Sequence, residues 1–363
     1  MNLKNILFAA HDPGGANVIA PIIKRLTELR NYRIYLLLLG PAKEKIKITG
    51  DDIINLEIET FKISEDANQY GVLEKDIEPL FSQLEFNFVF TGTSFNSNLE
   101  KLILKHSKRN RIYSAAFIDA WSNYKLRFYY NDGYHYPDLL FATDESMRRG
   151  ILNEGISSET VVCGNPNLEK LMIEYSAIER TINNDKIRLF SDPYHLINKK
   201  SRVNEFTILE TMVHFFENRK LRKKIIIRPH PTELRDSWDQ FLNKLKSEKT
   251  LEYVELEIDR LSYGEVLQDN FISIGISTMA LIETSLAGIP TMSWQIEFDD
   301  QNYFYIPFEE YGIRIIKSIK EFEHYFANDI LKSEIIVNVR DSLSMITERI
   351  EKVIVGERAQ RKV

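Results

Sequence analysis

Two short stretches carry the side chains best suited to holding a phosphate. One is Arg228-Pro229-His230-Pro231, which follows the apolar run Ile225-Ile226-Ile227. The other is Ser277-Thr278, followed by Glu283 and by Gly288-Ile289-Pro290. Proline cannot continue a central strand, so the first run stops there and leaves Arg228 and His230 at its carboxyl end. One residue separates them, and if the extended geometry persists they share a strand face. The guanidinium fork suits a phosphate, though it suits a structural carboxylate equally well. His230 is a phosphate partner or a surface histidine at a strand end. Ser277 or Thr278 can cap a helix through Ala280, Leu281, Ile282, Glu283 and Ala287, and a helix N-terminus with free N–H groups favours anions. Glu283 lies about a turn and a half into that helix. There it can accept from the two hydroxyls of a ribose, or simply be a solvated helix residue.

Candidates for proton transfer lie earlier in the chain. Asp119 ends the run Ala115-Ala116-Phe117-Ile118 and is a general base or a local cap. Asp132 sits in Tyr130-Asn131-Asp132-Gly133 and is a base or the tip of an Asp-Gly hairpin, with the hairpin favoured. His11 and Asp12 close the first strand, Asn5 to Ala10. Gly14 and Gly15 follow and let backbone approach a ligand or make a tight strand-to-helix turn. The spacing is not GxGxxG, so a dinucleotide fingerprint is not read here. No HExxH, CxxC or Asp-x-Asp occurs, so neither a metal nor a cofactor is expected, and charge on a leaving phosphate falls to preorganised donors.

Alternating strands and helices must position these groups. Apolar runs at Arg33–Leu39, Phe86–Phe90, Ile112–Ile118 and Leu139–Thr143 each lead into a small-residue or polar turn, and Leu56–Phe61 alternates like a further strand. A second series begins at Lys186–Phe190 and continues through Lys223–Arg228, Tyr253–Leu256, Phe271–Gly275 and Thr291–Trp294. Its length of 363 residues exceeds one ordinary core. Two Rossmann-like domains follow: residues 1–165, joined by C-terminal helices over about 338–363, and residues 185–337. A net charge of −6 argues against nucleic acid as a partner. One cysteine, Cys163, excludes an internal disulfide and a cysteine-rich zinc site. The start lacks a signal-peptide pattern and the longest apolar run, Ile34–Leu39, is far short of the ~20 residues of a spanning helix, so a cytoplasmic protein is expected. The basic blocks Arg219–Lys224 and Lys105–Arg111 are solvated faces or, as the minority reading, points of peripheral contact with an anionic membrane at its inner face.

The early glycine turn, Gly164-Asn165-Pro166 at the hinge, Arg228-x-His230-Pro231 and Ser277-x5-Glu283-x4-Gly288-x-Pro290 together resemble GT-B glycosyltransferases. The resemblance covers the whole chain as architecture and a small fraction of it as motif. It implies an α/β, GT-B-like fold with the two domains facing a central cleft. Arg-x-His-Pro is similar to the His-Pro motif of bacterial sialyltransferases and Kdo transferases of capsule assembly, and to that of teichoic-acid glycerophosphotransferases. In those families the histidine and a serine element hold the departing phosphate, which here implies His230 with Ser277 and Thr278. An acidic-acidic-Gly motif supplies their base, and its nearest match, Asn131-Asp132-Gly133, departs at the first position, leaving Asp119 as rival. The implied activity is metal-independent, inverting transfer from a nucleotide-activated sugar, a CMP-sugar before a UDP-sugar, to a glycan or glycolipid acceptor in bacterial surface polysaccharide synthesis. Nonhydrolysing UDP-N-acetylglucosamine 2-epimerases share the fold and a similar N-terminal turn, which makes 2-epimerisation the second reading. A non-catalytic binding protein is the third.

Overall fold

The computed structural model describes residues 3–64, 69–131, 133–175, 178, 183–198, 201–230, 233, 235–248, 250–269, 271–298, 304, 306–327 and 341–360. The chain divides into a first unit, Met1–Glu169 with Val339–Val363, and a second, Lys170–Asn338.

In the first unit, β1 (Lys4–Ala10) leads into α1 (Pro13–Glu28), and β2 (Tyr32–Leu38) into α2 (Gly40–Lys45). β3 (Ile53–Asn55) is an edge strand; β4 (Phe61–Ser64) and β5 (Gln69–Gly71) form a small antiparallel pair. Then come α3 (Glu74–Gln83), β6 (Phe88–Thr91), α4 (Leu99–Arg109) and β7 (Ser114–Phe117). A hairpin of β8 (Tyr129–Tyr130) and β9 (Gly133–Tyr134) precedes β10 (Leu139–Ala142), α5 (Glu145–Asn153) and β11 (Glu159–Val162). Seven parallel strands lie in the order β11-β10-β7-β6-β1-β2-β3. The run Ile6–Ala10 is wholly buried, as a central parallel strand covered on both faces requires. Ile6, Phe8 and Ala10 join one core with α1, while Leu7 and Ala9 join another with α3 and α4.

The expected strand over Leu56–Phe61 is not formed. The Leu56 N–H donates to the Leu36 carbonyl, residues 56–60 then carry no strand, and Phe61 opens β4 instead. The alternation there marks an extended, half-buried segment whose ladder partner runs out.

Helix α6 (Pro166–Tyr175) carries the chain across the unit boundary, with the Asn165 side chain accepting from the N–H groups of Asn167 and Leu168. The second unit runs through β12 (Lys186–Phe190), α7 (Tyr194–Ile197), α8 (Glu205–Asn218), β13 (Lys223–Arg228), α9 (Arg235–Glu248) and β14 (Val254–Ile258). It continues with α10 (Tyr263–Gln268), β15 (Ile272–Gly275), α11 (Met279–Leu286), β16 (Thr291–Trp294), β17 (Arg314–Ile316) and α12 (Ile319–Ala327). Its six parallel strands lie in the order β14-β13-β12-β15-β16-β17. Capping boxes at Asn204/Thr207 and Ser262/Glu265 start α8 and α10. After α11, Gly288 takes a φ of 77°, a left-handed turn that suits glycine. The last helix, α13 (Ser342–Gln360), returns to the first unit and buries Ile346, Ile350 and Ile354 beside Ile19, Ile22 and Ile23 of α1.

In both sheets the strand order reverses beside the first strand, between β1 and β6 in one and between β12 and β15 in the other. Ligands of open α/β sheets bind outside the carboxyl ends of the strands at such points.

Candidate functional site

The carboxyl ends of β1, β6 and β7 gather a polar cluster in the first unit. His11 Nε2 accepts the Tyr70 backbone N–H at 3.0 Å, so the ring proton sits on Nδ1 and donates to Asp12 at 2.7 Å. Both ring nitrogens are thereby engaged. Gly40 is required next to this ring, because its φ is 47° and a Cβ there would lie 2.8 Å from His11 Nε2. Asp12 precedes α1 but makes no side-chain cap, its carboxylate being turned to His11. The His11 N–H donates to Glu100 Oε1 at 2.9 Å.

Asp119 lies just past β7 and accepts from Arg127 Nη1 at 2.9 Å. The same guanidinium donates to the carbonyls of Thr93 and Ser122. Burial pushes the Asp119 carboxyl up; Arg127 pulls it partly back, and Asp12 pushes it up again. The neighbouring glycines now have reasons. A Cβ on Gly14 would lie 1.9 Å from Asp119 Oδ2, and one on Gly15 would lie 3.2 Å from the Gly92 Cα. The start of α1 therefore packs directly on the Asp119 carboxylate and on the turn after β6. A cavity of about 290 Å³ in this unit is lined by Leu39, Gly40, Lys43, Glu57, Thr60 and Tyr70 among others.

The second unit presents its own cluster at the ends of β13, β14 and β15. Arg228 Nη1 donates to Asp259 Oδ2 and to the Leu261 carbonyl, both at 2.9 Å, and the guanidinium lies 5.3 Å over the Tyr263 ring. Asp259 also pairs with the buried Arg188 at 3.1 Å. The Tyr263 hydroxyl donates to Glu283, and burial beside that carboxylate keeps the phenol protonated. Arg228, Tyr263 and Glu283 thus form one connected set. Thr278 caps α11, its hydroxyl accepting from the Ala280 N–H at 3.4 Å. Ser277 immediately precedes it.

His230 lies two residues beyond the end of β13. Its backbone N–H donates to Glu233 Oε2 at 2.6 Å, while Glu233 Oε1 accepts from Ser191 and from Trp238. Glu233 thereby ties the ends of β12 and β13 to α9. Burial lowers the His230 pKa against the opposing charge of Glu233, which favours a neutral imidazole at pH 7. Asp132 and Pro231 lie outside the described residues. Asn131, at φ 39°, and Gly133 flank the hairpin tip. The aromatic residues near it divide: Trp121 and Phe128 are core, whereas Tyr129 and Tyr134 are exposed.

Among the described residues, one grouping brings metal-ligand types close together, His195, Glu205 and Glu233, with ligand atoms within 4.8 Å of one another. Hydrogen bonds account for these atoms, since His195 Nδ1 engages Glu205 and Glu233 accepts from three donors. In the basic block, Arg219 forms two bonds to Glu323, Lys223 pairs with Asp185, and Lys224 pairs with Glu255 and Glu257. No helix among the described residues is long and apolar enough to cross a membrane.

Spacing in the sequence missed Glu100, Arg127, Glu233, Asp259 and Tyr263. Glu233 alone carried a local signal, an acid three residues after His230 whose side chain reaches back to the earlier N–H. The others are brought in by the fold.

Both units are Rossmann-like, and together they make a fold of GT-B type. The chain is similar over 96% of its length to UDP-GlcNAc 2-epimerase from Neisseria meningitidis bound to UDP-GlcNAc, covering 100% of that chain at a TM-score of 0.66 and 13% identity. The UDP-GlcNAc 2-epimerase from Methanocaldococcus jannaschii in complex with UDP-GlcNAc and UDP matches at a TM-score of 0.64 and 16% identity, over 96% of this chain and 99% of that one. MurG from Acinetobacter baumannii matches at 0.55 and 8%, with the same coverage of 96% and 99%. At such identities the likeness is one of fold. No family model and no curated protein matches the chain.

Proposed function

We propose that this protein is a metal-independent enzyme acting on a nucleotide-activated sugar, and that it transfers the sugar with inversion to a glycan or glycolipid hydroxyl. The observation that carries the reading is Asp119: a half-buried carboxylate just past a strand's carboxyl end, raised in pKa by desolvation and held by Arg127 on one oxygen. That is the condition of a general base poised to take a hydroxyl proton. The second unit supplies the nucleotide-binding groups. Arg228, Thr278 and the start of α11 meet the phosphates, and Glu283 accepts from the ribose in place of the Tyr263 hydroxyl. His230, as a neutral donor, completes stabilisation of the leaving phosphate. CMP and UDP are the nucleotides to compare; the bound uridine nucleotides named for the similar epimerases favour testing UDP-sugars first.

A second reading, 2-epimerisation of a nucleotide sugar, is favoured by Asp12, whose charge acts on both Glu100 and Asp119, because that chemistry needs several acidic groups near one sugar. One experiment separates the two. Purified protein is incubated with CMP- and UDP-sugars, with and without saccharide acceptors, and the products are resolved by mass spectrometry and NMR. Nucleotide release that depends on acceptor supports transfer, and sugar interconversion supports epimerisation. Neither outcome with any donor refutes both. Under the transferase reading, Asp119→Asn lowers turnover by roughly a hundredfold or more while donor affinity stays near that of the parent. Unchanged turnover removes Asp119 from the mechanism.

A further inference from the structure

Glu100 is the second residue of α4 and only 2% exposed. Its Oε1 accepts the His11 N–H, but its Oε2 is buried with no hydrogen-bond partner among the described residues. An ionised carboxylate that far from water needs several donors or a cation, and it is expensive without them. The adjacent Lys101 donates to the Phe95 carbonyl at 2.9 Å and makes no hydrogen bond to Glu100. Arg127 is engaged with Asp119, Thr93 and Ser122. The turn between β1 and α1 instead brings Asp12, a second negative charge, which pushes the Glu100 carboxyl up while the neighbouring His11 pulls it back. The groups facing Glu100 are thus Asp12 and His11 from that turn and Lys101 from its own helix, with Asp119 and Arg127 coupled to it through Asp12 and Lys101.

We propose that Glu100 is a positioning residue that holds a proton beside Asp12, so that no second buried charge opposes Asp12 at this strand edge. The proton stays because ionisation is dear at a buried oxygen that no donor among the described residues reaches. Keeping it there leaves Oε1 free to accept the His11 N–H, which fixes the end of β1, and leaves Asp12 charged to orient the His11 ring. Losing it places a second negative charge against Asp12 and weakens the arrangement around Asp119.

Burial, seconded by Asp12, lifts the Glu100 carboxyl to about 7 from its ordinary 4.5. The folded protein therefore keeps a proton that the unfolded chain releases between these values. Stability from this group is fully present below about 4.5, is lost as pH rises, and levels off above about 7. The difference of about 2.5 between 7 and 4.5 corresponds to roughly 300-fold in the folding constant.

The test compares the urea-unfolding midpoint of the full-length parent with that of Glu100→Gln from pH 5 to 8.5. Glutamine keeps the acceptor for His11 and stays neutral. The expected result is that the two proteins differ least at the acid end and diverge as pH rises, the variant gaining on the parent by a factor of tens between pH 5 and pH 8. A constant difference across the range overturns the proposal, for that is what a purely structural, permanently ionised glutamate gives. If Glu100→Gln does not fold, Asp12→Asn decides. It keeps the acceptor for His11 Nδ1 but removes the charge pressing on Glu100, so the pH at which parental stability declines moves down; an unmoved decline overturns the proposal. Its effect on catalysis rests on the nucleotide-sugar reading. Under that reading the apparent pKa of the pH–turnover profile moves in Glu100→Gln, and an unmoved profile overturns the positioning role. Finding no reaction with any nucleotide sugar defeats the functional reading and leaves the unfolding comparison to decide Glu100.

Discussion

Replacing Gly14 with alanine places a methyl group 1.9 Å from Asp119 Oδ2 and 3.0 Å from its Cγ. Real Cβ contacts essentially never fall below 3.0 Å, so the carboxylate must retreat by at least the difference, 1.1 Å. Helix α1 cannot relieve the clash by sliding toward the sheet, because Gly15 already meets the Gly92 backbone there. Arg127 holds the other oxygen, Oδ1, at 2.9 Å, so the turn of the carboxylate that frees Oδ2 distorts or breaks that bond. Breaking a buried pair costs about 3–5 kcal/mol. The Asp119 side chain retains 16% exposure and can turn partly toward water, so about 2–3 kcal/mol is expected. In an Asp119→Ala background the clash is absent and Gly14→Ala should be near neutral, since alanine suits a helix better than glycine. The assay is a double-mutant cycle on urea-unfolding midpoints, with hydrogen exchange of the β1 and β7 amides reporting on the first unit by itself. A coupling of about 2 kcal/mol or more is expected by this estimate. Additivity within about 0.5 kcal/mol refutes the claim that Gly14 is there to admit the Asp119 carboxylate.

Two further perturbations follow from the same geometry. Asp144 caps α5 by accepting from Met147 at 2.7 Å and also accepts from the buried Trp121 indole at 2.8 Å. Asp144→Ala should therefore cost about 2–4 kcal/mol, a lost cap together with a lost partner for a buried donor, and thermal unfolding measures it directly. Glu233 serves Ser191, Trp238 and the His230 N–H at once, so Glu233→Ala should destabilise by about 3 kcal/mol or more, and Glu233→Gln by roughly half that. Equal losses for the two variants in urea titrations would mean that packing rather than hydrogen bonding holds the residue.

Much of the scaffold was legible because its signals are local. The runs at Lys186–Phe190, Lys223–Arg228 and Thr291–Trp294 became strands with those same limits, since continuous apolar stretches bounded by turn residues suit buried parallel strands. The segment at Leu56–Phe61 misled because alternation records exposure, not whether a partner strand is present to complete a ladder. The site was half legible for a related reason. Prolines after Ile227 and small residues after Gly275 announce where strands stop, and strand ends are where ligands bind. What a polar side chain does at that edge is set by neighbours that spacing cannot reveal. Sequence leaves Arg228 to a phosphate or to a structural carboxylate, and it is Asp259, 31 residues on, that lies against it. A ligand phosphate must therefore compete with that carboxylate or use the guanidinium's other face. Glu100 makes the converse point. Between Leu99 and Lys101 it resembles any solvated residue of an amphipathic helix, and only the arrival of His11, 89 residues away, turns it into a buried acid. Charge at this edge is thus a property of assembled neighbours. What the Asp119 carboxylate can do is set by the cation holding it and the glycine making room for it.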